Sequence, residues 1–499
     1  MKKIDTLRLS LPIAVKTFFL AVLIVSDFSV SGQTLPEFDW SINYPGIYTD
    51  LTRQLISTRD GGYIMVGESE SFGPGIISTL LKKCDSTGNE EWSKSYGGSA
   101  FDLPTAVIET SDNGYLIATY TTSFLPEGTN IRLIKTDVIG DTVWTRVIPE
   151  SNGCIVAFAG CVVETNDNGY LVAGSGWKAP NCNQIMLFKV TQAGEPEWHR
   201  EIGGNSDDYG GCLQTTIDGN FILAGHTFSF GSGLCDGFLV KFDQNGEVLW
   251  SNAIGSTNYD SFRFVRQTSD GGYIAVGSTQ SFGKAEQGFV VKTDSSGQTE
   301  WTAAHGGVGN EGFEGVIETS VLDYIITGST NSYGIGLHDF FIVRIDQNGE
   351  LTDMETHGGE DEDFGSTIEW IPGKGYIAGG SYSGDQYLDF WALYFNCDSL
   401  STPVNQFPMT ASSPVIFEAI TPNPFFDKTT ISFKIRENSN TSLSVYSLNG
   451  ILLDEKAYGY LQSGKYTFEY SNDQLKPGTY LCKITSGKYW TAQRIIKGN

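Results

Sequence analysis

The chain has 499 residues, rich in glycine (59), tyrosine (23) and phenylalanine (30), and carries a formal charge of −26. Its length exceeds one ordinary hydrophobic core, and its composition favours short strands joined by glycine-rich turns over the helices of an α/β enzyme. The acidic field repels phosphate backbones and anionic lipid, which excludes nucleic-acid and membrane-surface roles.

The chain opens with Met1-Lys2-Lys3 and Arg8, continues through the apolar run Phe18 to Val25, and ends this segment on Ser29-Val30-Ser31-Gly32. That charged, apolar, small-residue order predicts a secretory signal peptide over residues 1–32, cut after Gly32. The run is shorter than the roughly 20 residues a bilayer span needs, and nothing later is long and apolar enough, so no membrane span is expected. Without residues 1–32, 28 basic residues remain against 56 acidic ones.

Seven aromatic residues then recur after a turn signal: Tyr63, Tyr115, Tyr170, Phe221, Tyr273, Tyr324 and Tyr376, at spacings of 51 to 55. Each unit holds four strand-like runs separated by Asp/Asn-Gly turns. The prediction is an all-β fold, a seven-bladed β-propeller over residues 33–398. The seventh unit lacks a fourth run, while the N-terminal Glu37-Phe38-Asp39-Trp40-Ser41-Ile42-Asn43 is a strand without a unit. Pairing the two closes the ring.

Three signatures recur within the units. Asp-x-x-Gly-x-x-x-Trp stands at Asp85-Gly88-Trp92, Asp137-Gly140-Trp144, Asp243-Gly246-Trp250 and Asp294-Gly297-Trp301. The third unit has Thr191 for the aspartate, and the sixth has Asp353 where tryptophan is due. Asp opens the turn, Gly takes its positive φ and Trp packs between blades. The motif resembles the Asp box of sialidases and the tryptophan-docking motif of quinoprotein dehydrogenases, and fits the spacing of neither. The second signature is an acidic residue thirteen positions before the aromatic: Asp50, Asp102, Asp208, Asp260, Glu311 and Asp363, interrupted by Ala157. Six carboxylates at one channel mouth would either accept turn amides or share a hard cation such as calcium. Turn capping is favoured, so no metal or cofactor is expected. The third is Ser-Phe/Tyr-Gly, at Ser71-Phe72-Gly73, Ser229-Phe230-Gly231, Ser281-Phe282-Gly283 and Ser332-Tyr333-Gly334, in loops on the same face as the carboxylates. Loop packing is favoured for it over stacking on sugar rings.

Repeated features are architecture, and binding in a repeat fold concentrates where one unit departs. The third unit departs most: it lacks the acidic residue, is longer and replaces Ser-Phe-Gly. Trp177, Lys178 and Asn183, with neighbouring Asp207, Tyr209 and His226, form the candidate ligand-binding patch. The chain has eight cysteines, and their equivalent placement in neighbouring units predicts two disulfides, Cys161–Cys182 and Cys212–Cys235. Cys84, Cys154, Cys397 and Cys482 are left unassigned.

A Ser/Thr/Pro-rich linker, residues 399–416, leads to alternating strands over 417–499 that read as a small Ig-like β-sandwich. Asn449-Gly450 marks a tight hairpin within it. The runs Ile420 to Phe433, Val445 to Gly450, Leu475 to Ile484 and the basic tail Gln493 to Asn499 resemble the C-terminal sorting domain of the type IX secretion system of Bacteroidetes. The propeller units resemble those of secreted proteins bearing the same tail. The resemblance implies export to the periplasm, passage across the outer membrane and a secreted or cell-surface destination, with the secretion machinery as partner.

No Gly-x-Ser-x-Gly, His-Glu-x-x-His or phosphate-loop pattern occurs, and the five histidines are scattered without ligand spacing. A sialidase would need three converging arginines, and only Arg53, Arg263 and Arg266 fall on innermost strands. The reading is a monomeric binding or scaffold propeller for a glycan or protein ligand. The alternative is a glycan hydrolase or lyase using the channel-mouth carboxylates.

Overall fold

The computed structural model describes residues 35–497 except 36, 125–129, 149–154, 179–181, 284, 320–321, 372–373, 385–386, 397–414, 424, 448–451, 473–474, 477 and 488. The expected signal peptide, most of the linker, the Asn449-Gly450 turn, Cys154 and Cys397 lie outside the described residues. All regular structure among the described residues is β.

Among those residues seven four-stranded antiparallel sheets follow one another, the first six spanning 50–96, 102–147, 155–202, 208–254, 260–305 and 311–357. The seventh consists of Phe364–Ile371, Gly375–Ser383 and Leu388–Asn396, with Glu37–Tyr44 as its outer strand. Trp40 lies opposite Tyr394 and Tyr44 opposite Phe390, so the N-terminal segment completes the last sheet. The second and third strands of the sheets are almost wholly buried, because neighbouring sheets cover both faces. Outer strands such as Glu90–Tyr96 face solvent and are mostly polar.

Seven hydrophobic clusters hold the sheets, and each is shared by two neighbours. One joins Leu55, Tyr63 and Leu80 of the first sheet to Ile371, Phe390 and Tyr394 of the last, so the series closes on itself as a β-propeller.

The Asp-x-x-Gly-x-x-x-Trp motif ties successive sheets together. Asp85 Oδ1 accepts the Thr87 and Asn89 amides at 2.8 and 3.0 Å, and Gly88 closes the turn at a φ of 89°. A Cβ at Gly88 would lie 2.1 Å from Ile42 Cδ1 and 3.2 Å from the Trp40 ring; at Gly140 it would lie 2.7 Å from Trp92. The tryptophan of one sheet therefore covers the turn glycine of the next. The sixth sheet has no such turn to cover. Its Asp353 instead accepts the Leu35 amide at 2.8 Å, just before the closing strand begins.

Every innermost strand carries a register shift at the same place, between Thr52 and Gln54 in the first sheet and between Gly210 and Cys212 in the fourth. The same irregularity recurs in the other five. Such a bulge re-aims the side chain that follows it. That residue reaches the neighbouring sheet: Gln54 Oε1 accepts the Val107 amide at 2.7 Å, and Thr367 Oγ1 donates to Leu55 O at 3.3 Å.

In the C-terminal region, Val415–Thr421, Thr429–Ile435 and Gly464–Tyr470 form a three-stranded sheet. Leu452–Leu461, Ser439–Ser447, Gly478–Ser486 and Tyr489–Lys497 form a four-stranded one. Ile431 and Phe433 of the first share a core with Leu443, Val445, Cys482 and Ile495 of the second.

Deleting residues 33–44 exposes the edge of Leu388–Asn396 and removes the Trp40 and Tyr44 contacts. The melting temperature is expected to fall by about 10 °C or more, with self-association through the open edge. An unchanged midpoint in calorimetry would contradict closure by this strand.

Candidate functional site

The second-to-third and fourth-to-first connections of the sheets share one face. Bridges join them directly, Ile77 to Phe101, Cys235 to Tyr259 and His338 to Glu362. The acidic positions, the Ser-Phe/Tyr-Gly loops and the third-unit patch all lie at this end.

Each of the six carboxylates has its own set of partners. Each is buried to within 2 % exposure at a separate junction between sheets. Asp102 accepts the Gly98 amide at 2.8 Å and the Thr121 and Ser123 hydroxyls at 2.6 Å each. Asp208 accepts the Gly204 amide and the Ser229 hydroxyl at 2.7 Å each, and the Thr227 hydroxyl. Asp260 repeats the set with Ser256, Ser281 and Thr279. Glu311 accepts the Gly307 amide and the Thr330 hydroxyl, and Asp363 the Gly359 and Ser383 amides. Asp50 accepts the Ser71 amide at 3.3 Å, leaving Oδ2 without a partner. The Ser of the Ser-Phe/Tyr-Gly loop is thus often the carboxylate's own donor, so two signatures that look separate in sequence form one capping device. At two junctions a second carboxylate faces the first across a glycine, Asp236 by Asp260 and Asp339 by Asp363. Burial first, and the neighbouring charge among the lesser causes, raises Asp236 and Asp363 above the usual carboxylate range. No group of three or more His, Cys, Asp or Glu with metal-holding geometry occurs among the described residues.

The arginines of the innermost strands are each matched by an acid. Arg53 pairs with Glu68, Arg263 lies 3.9 Å from Glu314, and Arg266 reaches Glu369 at 2.8 Å. The last pair links the fifth and seventh sheets across the channel. Arg53 and Arg263 both act on the Glu314 carboxylate, while burial, the largest cause, keeps it above the usual range.

Four residues of the third-unit patch, Asn183, Asp207, Tyr209 and His226, touch one another. Asn183 donates its backbone N–H to Asp207 Oδ1 at 2.6 Å and its Nδ2 to Tyr209 Oη at 2.8 Å. Its backbone lies opposite Trp177, whose ring is 40 % exposed. Tyr209 stacks on His226 with centroids 4.9 Å apart, and Phe228 and Tyr259 extend the cluster edge-on. Burial, then the charge of Arg263, lowers His226 to about 4, so its ring is neutral at physiological pH. The Lys178 side chain lies outside the described residues. Phe228 and Tyr259 carry no repeat signature, and their part in the cluster is not readable from spacing.

Among the described residues every large exposed aromatic of the seven sheets except Phe38 lies on this face. Phe230, Phe282 and Tyr333 of the Ser-Phe/Tyr-Gly loops stack inwardly on buried Phe238, Phe289 and Phe341, while Phe230 and Phe282 keep about half their surface in solvent. An open depression of about 540 Å³ on the same face is lined by Thr49, Leu337, Asp361, Glu362 and Tyr387.

The expected disulfides are corrected. In this structure Cys84, Cys161, Cys212, Cys235 and Cys482 are not bonded to another cysteine. Cys212 lies opposite Ala224, whereas Asp236, next to Cys235, lies opposite Thr227. Cys161 lies opposite Ala173, whereas Cys182 lies opposite Lys178. At about 3.3 Å per residue and 4.8 Å per strand, Cys212 and Cys235 are roughly 16 Å apart and Cys161 and Cys182 roughly 19 Å, beyond the ~7 Å between Cα atoms that a disulfide allows. Equal spacing from the repeat aromatic hid the fact that the two members lie at different heights in the sheet.

Residues 419–498 match the family described as the secretion system C-terminal sorting domain. No curated protein matches the chain. Solved structures with a similar course include a fungal alcohol oxidase of the AA5 family in complex with copper, with TM-score 0.45, 12 % identity and coverage of 93 % of this chain and 100 % of that one. The β-propeller domain of the Trilobed protease from Pyrococcus furiosus gives 0.42, 9 %, 74 % and 100 %. A protein of unknown function from Dyadobacter fermentans gives 0.42, 10 %, 72 % and 99 %. At these scores none of them contributes to a functional argument.

His226 supplies a pH signature for the patch. Its folded pKa near 4 lies below the ordinary 6.5, so on acidification the unfolded chain takes up the proton first. The stability it contributes is complete above about pH 6.5 and is lost as pH falls towards 4, on the order of 3 kcal/mol. His226→Gln should flatten that part of the denaturation-against-pH profile. An identical acid slope in the variant would refute the burial of this ring.

Proposed function

We propose that the mature chain is a seven-bladed propeller that works as a binding or scaffold module for a glycan or protein ligand. The sorting domain directs it through the type IX secretion system of a Bacteroidetes cell to the surface or beyond, after removal of the signal peptide. The observation that carries the binding role is the one-sided distribution of exposed aromatics. Trp177 stands near the end of the strand Tyr170–Lys178, and Phe228, Phe230, Tyr259 and Phe282 stand on loops rich in polar residues and glycine, a mixture of rigid amphipathic anchors and adaptable polar groups suited to recognition. Exposed apolar surface concentrated in this way marks an interaction site.

The hydrolase reading is weaker on the same geometry. A glycosidase needs two carboxylates facing one another across an open substrate cleft, roughly 5–10 Å apart. Five of the six repeated carboxylates have both oxygens or their only exits engaged by turn amides and hydroxyls, and all six are buried.

The test is a screen of the purified chain against polysaccharides and surface proteins, scoring retention and cleavage separately. Retention without cleavage is expected. The double variant Trp177→Ala/Phe282→Ala should weaken retention at least tenfold, since each stacking aromatic contributes about 1 kcal/mol or more. Cleavage with undiminished retention in that variant would favour the enzyme instead.

Removing residues 419–498 is expected to leave a folded propeller that stays inside the outer membrane. Cell fractionation showing the truncated chain in the medium at wild-type level would overturn the role given to the tail.

A further inference from the structure

Cys161 and Cys212 occupy equivalent places in consecutive sheets, each directly after the bulge of its innermost strand. Residues at this place turn sideways onto the next sheet, as Gln54 and Thr367 do. Cys161 follows the rule. It packs beside Cys212 in the same cluster, and Cys212 is near enough to raise its pKa while the Leu213 backbone lowers it. Cys212 in turn reaches Val265 O of the fifth sheet at 3.9 Å, while Gln214 Nε2 lies 3.6 Å from its sulfur. Both sulfurs pack into the cluster between the fourth and fifth sheets.

We propose that Cys161 and Cys212 are oxidised to a disulfide that staples the third sheet to the fourth. The two thiols give up two protons and two electrons as one S–S bond forms. The electrons pass to a protein or small-molecule disulfide, which is released as two thiols. The contact itself favours exchange: burial opposes ionisation of Cys212, and the hydrogen bond from Cys161 together with its polar neighbours outweighs that and lowers the thiol. Because Cys212 is 2 % exposed, the bond forms while the chain folds. It closes a loop of about 50 residues, a length at which a cross-link restricts the unfolded chain strongly. The oxidising compartment rests on the export proposed above; the pairing rests on the equivalent strand positions and shared packing of the two residues.

The purified full chain would be reduced, unfolded and refolded in mixed reduced and oxidised glutathione, then alkylated, digested and mapped by mass spectrometry. A peptide pair joined through Cys161 and Cys212 is expected, with a melting temperature that drops by several degrees on reduction. Cys161→Ser and Cys212→Ser should each lose the joined peptide and the response to reductant. Alkylation of both residues in the refolded chain, or their linkage to Cys182 and Cys235, would overturn the proposal. If either variant fails to fold, the reduced and oxidised forms of the unaltered chain still decide it. A chain that never leaves the cell would refute the export reading and leave this refolding result untouched.

Discussion

The fold depends on one pairing made across the whole length of the ring, that of Glu37–Tyr44 with Leu388–Asn396. Without it the last sheet has three strands and an open edge, and the first sheet's turn at Gly88 loses the Trp40 ring that covers it. Two departures from the repeat follow from this constraint. The seventh unit stops after three strands because the fourth is already supplied. The sixth unit has Asp353 in place of tryptophan because the neighbour it faces there is the incoming chain, whose Leu35 amide needs an acceptor and offers no turn glycine to pack upon.

Closure also separates architecture from recognition. Between each pair of sheets the same requirements arise: a turn amide to satisfy, a tight turn to cover, an apolar surface to bury. The chain answers them with the same residue types each time. Carboxylate, Thr and Ser hydroxyls, glycine and tryptophan are consumed in that work, and a carboxylate holding a backbone amide and two hydroxyls has little capacity left for catalysis. What remains free is on the loops of one face, where aromatic rings are anchored from below by buried phenylalanines and open above.

The repeat made the number and order of strands legible, since Asp/Asn-Gly turns and a spacing near 52 leave few other arrangements. Turn chemistry was legible for the same local reason. Contacts between units were not. That Trp92 covers Gly140, that Ser123 serves Asp102, and that Cys161 faces Cys212 all depend on how far one sheet is rotated against the next, which no spacing within a unit encodes. The cysteines show the error most plainly: equal distances from the repeat aromatic mean equal heights in neighbouring sheets, and so point to a partner in the next unit, whereas the expected pairing sought it within the same one. The third-unit patch was found because it breaks the pattern, while Phe228 and Tyr259 escaped notice because they sit in loops that otherwise obey it.

Charge narrows what the aromatic face can hold. Among the side chains described there, Glu70, Asp207, Asp361 and Glu362 stand beside the exposed rings, and the Arg132 guanidinium lies 4.1 Å from the centroid of the Phe124 ring. This agrees with the strongly acidic balance of the whole chain. On the binding reading proposed above, these carboxylates weigh against a sulfated or uronate-rich glycan and towards a neutral glycan or a basic protein. The two differ in kind of attraction. Stacking on a neutral sugar is short-ranged and indifferent to salt, whereas a basic protein is drawn in over roughly a Debye length, about 8 Å at physiological ionic strength, and loses affinity as salt rises. Aromatics set half-open on a stacked base, as Phe230 and Phe282 are, present flat apolar surface without mobile charge, which matches the first kind of partner more closely than the second.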